Sequence, residues 1–402
     1  MSMQILFLSH RLPFPPNDGA RVRAFHIIRH LSRRHEVTVA ALTRSEDEVA
    51  AAGELAAHCR EVITEGATRS MTLMRVASSL LTAEPASMRY FFSPRLARRI
   101  EDLMARRRFD LVFVYCSSVA PYVAHLQGMS KILDFVDMDS QKWLAFAEAR
   151  AMPMSAGYRL EGRKLQRAEA ALARQFDLCT CITPFELQTL RDYGTGVEAG
   201  WFPNGVDLDF FRPSAEHQQA DAVCFLGRMD YFPNKQGVTP FCQDVLPLIR
   251  AQRPQATFTI VGAAPPPQIR RLADLPGVTV TGTVPDVRPF LAQAAVSVAP
   301  LQIARGTQNK ILEAMAAGVP VVASPPAARG VDARDGEHLL VAGDPRWFAD
   351  AVVRLLADRE KRNRLAQDAR THVERHYSWD AAMQTLDGLI AICVRDRDLE
   401  PA

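Results

Sequence analysis

Short apolar runs alternate with longer helical patterns along this 402-residue chain. In the first part, Gln4–Ser9, Glu36–Leu42, Leu111–Tyr115 and Lys131–Phe135 have the apolar, β-branched composition of buried strands, and Ala20–Ser32 has helical spacing. Strands that alternate with helices build βαβ units, in which the strands are parallel. The chain is therefore predicted to be an α/β protein.

The same alternation starts again after Pro213, following turn sequences (Pro-Asn-Gly and Arg-Pro) within 201–213. The second set of predicted elements comprises the strands Ala222–Leu226, Thr257–Val261, Val278–Thr281, Val296–Ala299 and Pro320–Ala323, and helices near Gly237–Arg250, from Gln308, over Phe348–Ala357 and over Asp358–Arg375. We therefore predict two doubly wound domains, 1–200 and 214–378, a linker at 201–213, and a C-terminal helix over 379–402 that packs on the N-terminal domain. Ligands of such sheets bind beyond the carboxyl ends of the strands, so the cleft between the domains is the expected active site.

The composition limits the class of protein. Apolar residues make up 48% and charged residues 23%, as in ordinary globular proteins, and a net charge of +3 gives no argument for nucleic-acid binding. Seven cysteines form no Cys-x-x-Cys pair, which fits free thiols in a reducing compartment. No apolar run reaches the ~18–20 residues of a membrane span, and the N-terminus resembles a strand rather than a signal peptide. We expect a cytoplasmic protein.

The segment Arg305–Met315 is the main candidate for a ligand site. Thr307 is predicted to cap a helix that runs from Gln308 to about Ala317 and ends at Gly318. The free N–H groups and positive dipole of a helix N-terminus suit a diphosphate.

Polar side chains of this helix share one face. Asn309 and Lys310 lie four and three residues before Glu313. Gly306 lets the backbone approach a ligand, Lys310 adds a cation, and the Glu313 carboxylate can accept hydrogen bonds from ribose hydroxyls. A solvated amphipathic helix with a Lys/Glu pair is the alternative interpretation.

Two further segments follow predicted strands. After Cys224–Leu226, a loop with Gly227 carries Arg228 and Lys235, which could neutralise a nucleoside diphosphate as it leaves, or could be two surface cations. After Gln4–Ser9, another loop leads to Gly19, where the backbone could approach a ligand. The polar candidates in that second loop are His10, Arg11, Asn17 and Asp18.

With these segments identified, the whole chain resembles the retaining, GT-B-fold glycosyltransferases of family 4. Pro203-Asn-Gly-Val-Asp207, with Phe211 and Pro213, is similar to the interdomain signature of that family, Leu312–Val322 to its donor helix and next strand, and Leu226-Gly-Arg228 to its phosphate-binding turn. Weaker similarities are found at His35–Val39, Gly282–Asp286, Asp335–Leu340 and Tyr377–Trp379. Within the family, Leu8–Asn17, Met229–Asn234 and Ala304–Lys310 look most like sugar transferases associated with exosortase/PEP-CTERM exopolysaccharide loci.

The resemblance implies a role for each domain. The N-terminal domain would bind a glycan or polyprenyl-linked acceptor, and the C-terminal domain a UDP- or GDP-sugar, with no cofactor or metal required. Glu313 would bind the ribose, Arg228 and Lys235 the diphosphate, and the loop around Val284 would lie near the base. The other expected donor contacts are Gly19, Gly227, Arg305, Gly306, Thr307, Asn309 and Lys310, and the expected acceptor-side residues are His10, Asn17, Asp18, Ser117 and Asp137.

The chain departs from the family pattern at three places. Arg305 replaces a glutamate that commonly touches the donor sugar, Asn234 occupies the usual position of the phosphate-contacting lysine, and Tyr115–Ser118 occupies the place of a common histidine. Lys310 is therefore a candidate to share the phosphate contact. Asp137-Met-Asp139 matches an Asp-x-Asp metal motif, but we interpret both residues as cleft or structural residues.

Two alternative functions remain open from the sequence. A nucleotide-sugar epimerase would use the same two-domain plan, and the Arg305 substitution permits a binding protein without catalysis. Retention of configuration would follow if the leaving group departs from, and the acceptor attacks, the same face of the sugar, with cations stabilising the charge that develops.

The segment Arg69–Ala83, with Tyr90–Phe92 and several arginines, is either a peripheral membrane contact or a buried helix with surface arginines.

Overall fold

A computed structural model describes residues 2–16, 19–66, 75–76, 78–79, 82–214 and 218–398, with side chains described up to residue 394. The expected site residues Asn17 and Asp18, and most of the segment 69–83, lie outside the described residues. The chain forms two compact units: Met1–Phe202 with the C-terminal residues from Met383, and Pro203–Ala382.

The first unit is built on a parallel sheet. Its strands are β1 (Gln4–Ser9), β2 (Glu36–Thr43), β3 (Glu61–Gly66), β4 (Leu111–Tyr115), β5 (Ser130–Val136), β6 (Leu178–Cys181) and β7 (Glu198–Trp201). Among the described residues, these seven strands lie in the order β3-β2-β1-β4-β5-β6-β7, all parallel. The residues of β4 are buried throughout, as expected when helices cover both faces of a parallel sheet.

Helices surround this sheet. They are α1 (Gly19–Leu31), α2 (Glu46–Leu55), α3 (Ala86–Tyr90), α4 (Pro94–Arg106), α5 (Asp139–Glu148), α6 (Met154–Ala173) and α7 (Pro184–Asp192). Helices α4 and α7 each begin with a capping hydroxyl followed by proline: Ser93 Oγ accepts from the Leu96 N–H, and Thr183 Oγ1 from the Glu186 N–H. A side-chain acceptor at the N-cap and proline at the first helical position favour helix initiation.

The second unit repeats the plan. Its strands are β8 (Ala222–Leu226), β9 (Thr257–Val261), β10 (Val278–Gly282), β11 (Val296–Ala299), β12 (Val321–Ala323) and β13 (Leu340–Val341). Its helices are α8 (Phe232–Pro240), α9 (Leu246–Gln252), α10 (Pro267–Arg270), α11 (Arg288–Gln293), α12 (Asn309–Ala316), α13 (Pro325–Ala328), α14 (Pro345–Ala357) and α15 (Arg359–His376). The described strands form a parallel sheet in the order β10-β9-β8-β11-β12-β13. The predicted α/β class with two Rossmann-like parallel-sheet domains is confirmed.

A last helix, α16 (Trp379–Asp398), begins in the second unit, and its residues from Met383 belong to the first. Within the first unit, Asp387 Oδ1 lies 2.8 Å from His30 Nε2 of α1. In the described part of the chain, no helix is both long and apolar enough to cross a membrane. The seven cysteines, all of which are described, form no disulfide.

One predicted helix was wrong in its bounds. The helix expected near Gly237–Arg250 begins earlier, at Phe232, and consists of α8 and α9 joined by one π-helical segment, Phe241–Val245. Pro233 lies at the start of α8, where a missing N–H leaves no hydrogen bond unmade, and Pro247 directly follows the π-helical segment and its C-cap residue Leu246.

A fully buried ion pair connects three parts of the first unit. Arg23 of α1 donates from Nε to Asp134 Oδ2 of β5 at 3.0 Å, and both side chains have no exposed surface. The Arg23 Nη1 also donates to the Phe202 carbonyl at 3.2 Å, and the guanidinium stacks on the Phe202 ring at 3.7 Å. Asp134 accepts further hydrogen bonds from Thr180 Oγ1 and the Val136 N–H, so the buried charges are well satisfied.

Arg23→Met is expected to lower the free energy of unfolding by about 3–5 kcal/mol, because it leaves a buried carboxylate without its counter-charge. The double variant Arg23→Met/Asp134→Asn should lose less, since the amide oxygen still accepts hydrogen bonds and carries no charge. Urea unfolding of both variants tests this. A loss below about 1 kcal/mol in the single variant would mean that the pair behaves like one on the surface.

Candidate functional site

The topological switch point of the second sheet lies between β8 and β11, whose chains continue to opposite sides of the sheet. The loop after β8 carries Gly227 and Arg228, and the loop after β11 leads through Arg305 and Gly306 to helix α12. In open parallel sheets, ligands bind in the crevice at this point. The structure thus brings the two main sequence-predicted segments to one place.

Two glycines fix the loop after β8. The Gly227 N–H donates to the Val261 carbonyl at 3.0 Å, and a Cβ atom on Gly262 would lie only 1.8 Å from the Gly227 carbonyl oxygen. The next hydrogen bond, from the Met229 N–H to the Ala263 carbonyl, is 2.8 Å. Backbone packs directly on backbone here, and only glycine at position 262 allows this approach.

The start of α12 differs from the prediction. Gln308 occupies the N-cap position, no side chain caps the helix, and Thr307 is not the cap, so that prediction was wrong. Gln308 instead holds the preceding loop by donating from Nε2 to the carbonyls of Arg305 (3.1 Å) and Gly306 (3.4 Å). Thr307 Oγ1 is buried without a hydrogen-bond partner. A buried hydroxyl left without a partner is costly, which makes Thr307 a candidate for contact with a ligand.

Helix α12 ends as predicted at Gly318. This residue has a left-handed φ of +71°, the Gly318 N–H donates to the Met315 carbonyl, and the Val319 N–H donates to the Ala314 carbonyl at 2.9 Å. The two bonds form a Schellman motif. Arg370 of α15 also donates to the Ala316 carbonyl, which adds a cation at the negative end of the helix.

Lys310 is held in place by an amide from another loop. Its ammonium donates to Asn234 Oδ1 at 2.7 Å and lies 4.6 Å from the centre of the Phe225 ring. Asn234 is 4% exposed, and its Nδ2 donates to the Arg228 carbonyl at 2.8 Å. Asn234, which occupies the position where the family pattern has a lysine, therefore accepts a hydrogen bond from Lys310 of α12.

Burial changes the protonation of Lys310 and Glu313. Burial lowers the pKa of Lys310 to about 7, and the nearby Glu313 opposes this change. Burial likewise raises the pKa of Glu313 to about 7, against the effect of Lys310. The Glu313 carboxylate forms no hydrogen bond with any described residue. Perturbed titratable groups at a switch point are typical of functional sites.

The two other predicted cations differ in their surroundings. Arg228 is exposed and forms a bidentate pair with Asp230, with Nη2 to Oδ2 at 2.8 Å, and this hydrogen bond lowers the pKa of Asp230. An exposed pair of this kind contributes only about 0–1 kcal/mol, so a phosphate can compete with it. Lys235 is half-buried in α8 and forms no ion pair with a described carboxylate.

The remaining expected donor contacts lie around these groups. Arg305 is half-buried, and Asn309 Oδ1 accepts from Asn204 Nδ2 at 3.3 Å. This contact joins the Pro203-Asn-Gly segment to α12, and the same segment bonds to the Tyr377 carbonyl through the Val206 N–H. Val284 is half-buried in the loop after the edge strand β10. Asn204, Asp230 and Gln308 were missed from the sequence, although each belongs to a motif recognised there.

Strand ends in the first unit also carry unpartnered polar atoms. His10 follows β1, and its Nδ1 is buried without a partner. Burial is the largest cause that lowers the pKa of His10 to about 3, followed by the charges of neighbouring cations. The neutral ring stacks on Tyr115 at a centroid distance of 6.0 Å and meets Phe91 edge-on at 5.1 Å.

Asp137 follows β5 in a strained stretch of backbone. Val136 has φ of +65° and Cys116, at the end of the adjacent β4, has φ of +83°, both rare for residues other than glycine. Asp137 Oδ1 is buried without a partner, and burial, followed by the charge of Glu186, raises the pKa of Asp137 to about 7. Strain and unsatisfied buried atoms together indicate a functional edge of this sheet.

The other first-unit candidates are close to the same edge. Ser117 is buried at the start of a 3₁₀ turn after β4, and Gly19 is the exposed first residue of α1. Asp139, the second acid of the Asp-x-Asp sequence, forms an ion pair with Lys142, with 3.7 Å between Asp139 Oδ1 and Lys142 Nζ. No group of three or more His, Cys, Asp or Glu side chains suited to a metal occurs among the described residues.

Comparison with known proteins agrees with this architecture. A family model described as "Glycosyltransferase Family 4" matches residues 17–210, and one described as "Glycosyl transferases group 1" matches residues 220–358. Sucrose-phosphate synthase from Thermosynechococcus elongatus has a similar fold, with a TM-score of 0.70, 19% identity, and coverage of 97% of this chain and 98% of that chain. HepE from Anabaena, in complex with UDP and glucose, has a TM-score of 0.68 and 15% identity, with coverage of 97% of this chain and 99% of that chain.

The two Rossmann-like parallel sheets and these similar structures define the GT-B fold. The two matched family models cover successive parts of both units. Together with the fold, they support a family 4 glycosyltransferase.

Curated relatives match part of the chain. A phosphatidyl-myo-inositol mannosyltransferase from Mycobacterium leprae is 32% identical over 194 residues, which is 46% of this chain and 51% of the relative. A D-inositol 3-phosphate glycosyltransferase from Corynebacterium efficiens is 33% identical over 184 residues, 42% of each chain. The chain therefore spans about half or less of the length of these relatives.

Gly262→Ala is expected to lower the free energy of unfolding by about 1–3 kcal/mol, because the added methyl group must displace the Gly227 backbone. Gly157→Ala is the matched control: it lies inside α6 with no atom within 4 Å of the added Cβ, and it should stabilise by about 0.5–1 kcal/mol. Denaturant unfolding measures both. Equal effects of the two substitutions would contradict the close backbone approach.

The half-buried ammonium of Lys310 is expected to titrate near pH 7. The chain has only six lysines, which are Lys131, Lys142, Lys164, Lys235, Lys310 and Lys361. Reductive ¹³C-methylation of the lysines therefore gives few NMR signals, and the signal that disappears in Lys310→Arg is that of Lys310. The pH dependence of its chemical shift gives the pKa. A Lys310 signal that titrates in the ordinary lysine range would show that the side chain is solvated.

Proposed function

We propose that this chain transfers a sugar from a nucleotide-diphosphate sugar to a hydroxyl of a glycan or polyprenyl-linked acceptor, with retention of configuration. One observation carries the proposal: the Arg228 loop, the Lys310 ammonium and the Glu313 carboxyl group meet at the switch point of the second sheet. The two family-model matches support the same reaction class.

The diphosphate needs positive charge, and the site supplies it in several forms. The Lys310 ammonium supplies a positive charge and is oriented by Asn234. The Arg228 guanidinium can release the Asp230 carboxylate and bind two phosphate oxygens in its place. Lys235 and the N–H groups at the start of α12 complete the set. As the bond between sugar and phosphate breaks, negative charge grows on the leaving diphosphate, and these groups stabilise it.

Glu313 and its neighbours would bind the rest of the donor. The Glu313 carboxylate, free of hydrogen bonds to described residues, can accept from the ribose hydroxyls. Gly227, Gly306 and Thr307 would contact the phosphate or sugar, the unpartnered Thr307 hydroxyl being available for a hydrogen bond. Val284 would face the base. The further donor contacts in this proposal are Gly19, Arg305 and Asn309.

The acceptor side of the proposal uses the first unit. His10, Ser117 and Asp137 lie at the ends of β1, β4 and β5, and buried atoms of His10 and Asp137 lack partners. Attack and departure on one face of the sugar would let a leaving phosphate oxygen take the proton of the acceptor hydroxyl. This route needs no cofactor, since protein cations balance the charge that develops.

The comparisons favour particular substrates without deciding among them. The HepE structure holds UDP and glucose, which favours a UDP-sugar, whereas mannosyl transfer by a relative is compatible with a GDP-sugar. The resemblance to transferases of exosortase/PEP-CTERM loci is the basis for proposing a role in exopolysaccharide or cell-surface polysaccharide synthesis, in the cytoplasm or on the inner face of the membrane. Nucleic acid is not a proposed partner.

Arg305 favours a second candidate, a nucleotide-sugar-binding protein without transferase activity. A base stands where relatives commonly have an acid that touches the donor sugar, so sugar recognition is altered. Donor binding with no transfer to any acceptor would support this alternative. Donor turnover in the absence of acceptor would instead support an epimerase.

A thermal-shift panel of nucleoside diphosphates and nucleotide sugars tests the proposal. A ligand at about 100 times its dissociation constant stabilises a protein by ~2.7 kcal/mol, so a cognate nucleotide should raise Tm clearly. Glu313→Ala and Arg228→Ala should each weaken binding by roughly tenfold or more, as expected for loss of a charge-assisted contact. Absence of a shift with every nucleotide contradicts the proposal.

Matched controls come from an exposed pair elsewhere in the second unit. Arg334→Ala and Glu337→Gln remove the same kinds of charge from a surface salt bridge with an N–O distance of 3.1 Å. Both variants should bind the nucleotide like the wild type. Equal weakening by the control and site variants would indicate a general charge effect rather than a site.

A further inference from the structure

Positive side chains gather at the carboxyl ends of β1 and β2 in the first unit. Arg11 follows β1 and Arg44 follows β2, and these strands are paired through Ser9 and Ala41. The Leu12 N–H donates to the Leu42 carbonyl at 3.1 Å, so the two chain segments stay side by side beyond the paired residues. This is the edge at which parallel sheets bind ligands.

Four cations act on one buried imidazole. The charges of Arg11, Arg44, Lys142 and Arg21 each lower the pKa of His10, in this order after burial. Aromatic contacts place Arg44 close to this ring: its guanidinium lies 5.0 Å from the centre of the Phe91 ring, which in turn meets the His10 ring edge-on at a centroid distance of 5.1 Å. Arg11 is the chain neighbour of His10.

Two of these cations have carboxylate partners. Arg21 Nη2 lies 2.5 Å from Glu48 Oε1, and Lys142 Nζ lies 3.7 Å from Asp139 Oδ1. Glu48 also accepts from the Arg44 backbone N–H at 2.7 Å, so its oxygens are already in use.

The other two cations lack such partners. Arg11 forms no hydrogen bond or ion pair with any residue that the structure describes, and its Nε is buried. The Arg44 guanidinium lies over the rings of Tyr90 (4.8 Å) and Phe91 (5.0 Å) and forms no ion pair with a described carboxylate. Burial, followed by the charge of Arg11, lowers the pKa of Arg44. The charge of Glu48 offsets part of this effect on Arg44. A bound anion would further reduce the repulsion between the two guanidinium groups.

We propose that Arg11 and Arg44, together with the buried imidazole of His10, form a subsite for a phosphoryl group of the acceptor. Two guanidinium forks present donors in the planar geometry that phosphate oxygens accept. The unpartnered Nδ1 of His10 gives the subsite a third polar contact. That the phosphoryl group belongs to an acceptor rests on the proposed transferase function; the anion site itself does not.

Inorganic phosphate is the first probe, titrated by calorimetry into protein saturated with the nucleoside diphosphate that gives the largest thermal shift, so that the second unit is occupied. Arg11→Met and the more exposed Arg44→Met should each weaken phosphate binding by about tenfold or more. Arg98→Met, which removes an exposed arginine from α4, should leave it unchanged. Nucleotide affinity should be the same in all three variants.

Several results would overturn the subsite. Phosphate affinity unchanged in both site variants would do so, as would a parallel loss of nucleotide affinity, which would assign the cations to the donor. Binding of D-glucuronate in preference to phosphate would show a carboxylate site instead. If no nucleotide binds at all, the donor proposal fails, but Arg11-dependent binding of phosphate to the protein alone would still support the anion site.

Vesicles distinguish the two sources of a phosphoryl group. Flotation with phosphatidylcholine vesicles, with and without phosphatidylglycerol, tests a lipid headgroup. Binding to the anionic vesicles that is lost in Arg11→Met and competed by phosphate indicates a lipid-linked acceptor. Phosphate binding without vesicle binding indicates a water-soluble phosphate ester. Both results support the subsite, whereas vesicle binding that is insensitive to both variants and to phosphate, combined with unchanged phosphate affinity, contradicts it.

Discussion

The buried ion pair of Arg23 and Asp134 connects the carboxyl end of β5 to helix α1 and to the end of the first unit at Phe202. Asp134 precedes the strained Val136 and the unpartnered Asp137, and Arg23 belongs to the helix that follows the loop from His10. The same guanidinium contacts Phe202, the last residue of the unit before the chain enters the second one. An apolar pair could fill this volume, but it would not accept from the Val136 N–H or donate to the Phe202 carbonyl. Strain at Val136 can persist because these bonds over-determine the position of the strand end.

In the second unit, the key groups depend on contacts between loops and helix. The Lys310 ammonium is oriented by Asn234, and Asn234 is itself held by the Arg228 carbonyl. The proposed phosphate contact of Lys310 therefore depends on a residue from another element. Burial brings the pKa values of both Lys310 and Glu313 to about 7, and such perturbed groups are typical of functional sites.

The sequence predicted the elements that have strong local signals. Strands β1, β4, β8, β9 and β11 were predicted with their observed bounds, since each is a compact apolar run between polar turns. Short or weakly apolar strands were missed: β6 is Leu-Cys-Thr-Cys, and β13 has two residues. For the site, Glu313, Lys310 and Arg228 were found from spacing and resemblance. The hydrogen bonds of Asn204 to Asn309 and of Lys310 to Asn234 could not be predicted, because they join residues 105 and 76 positions apart and depend on tertiary packing.

The contact between Gly227 and Gly262 limits how this protein can diverge. Because backbone touches backbone there, neither loop can gain a side chain at the contact or shift without the other moving too. We therefore expect changes of substrate preference at positions in the other loops along this edge of the sheet, those after β10 and β11. Arg305 and Val284 are such positions, and closely related chains should differ there while both glycines stay unchanged.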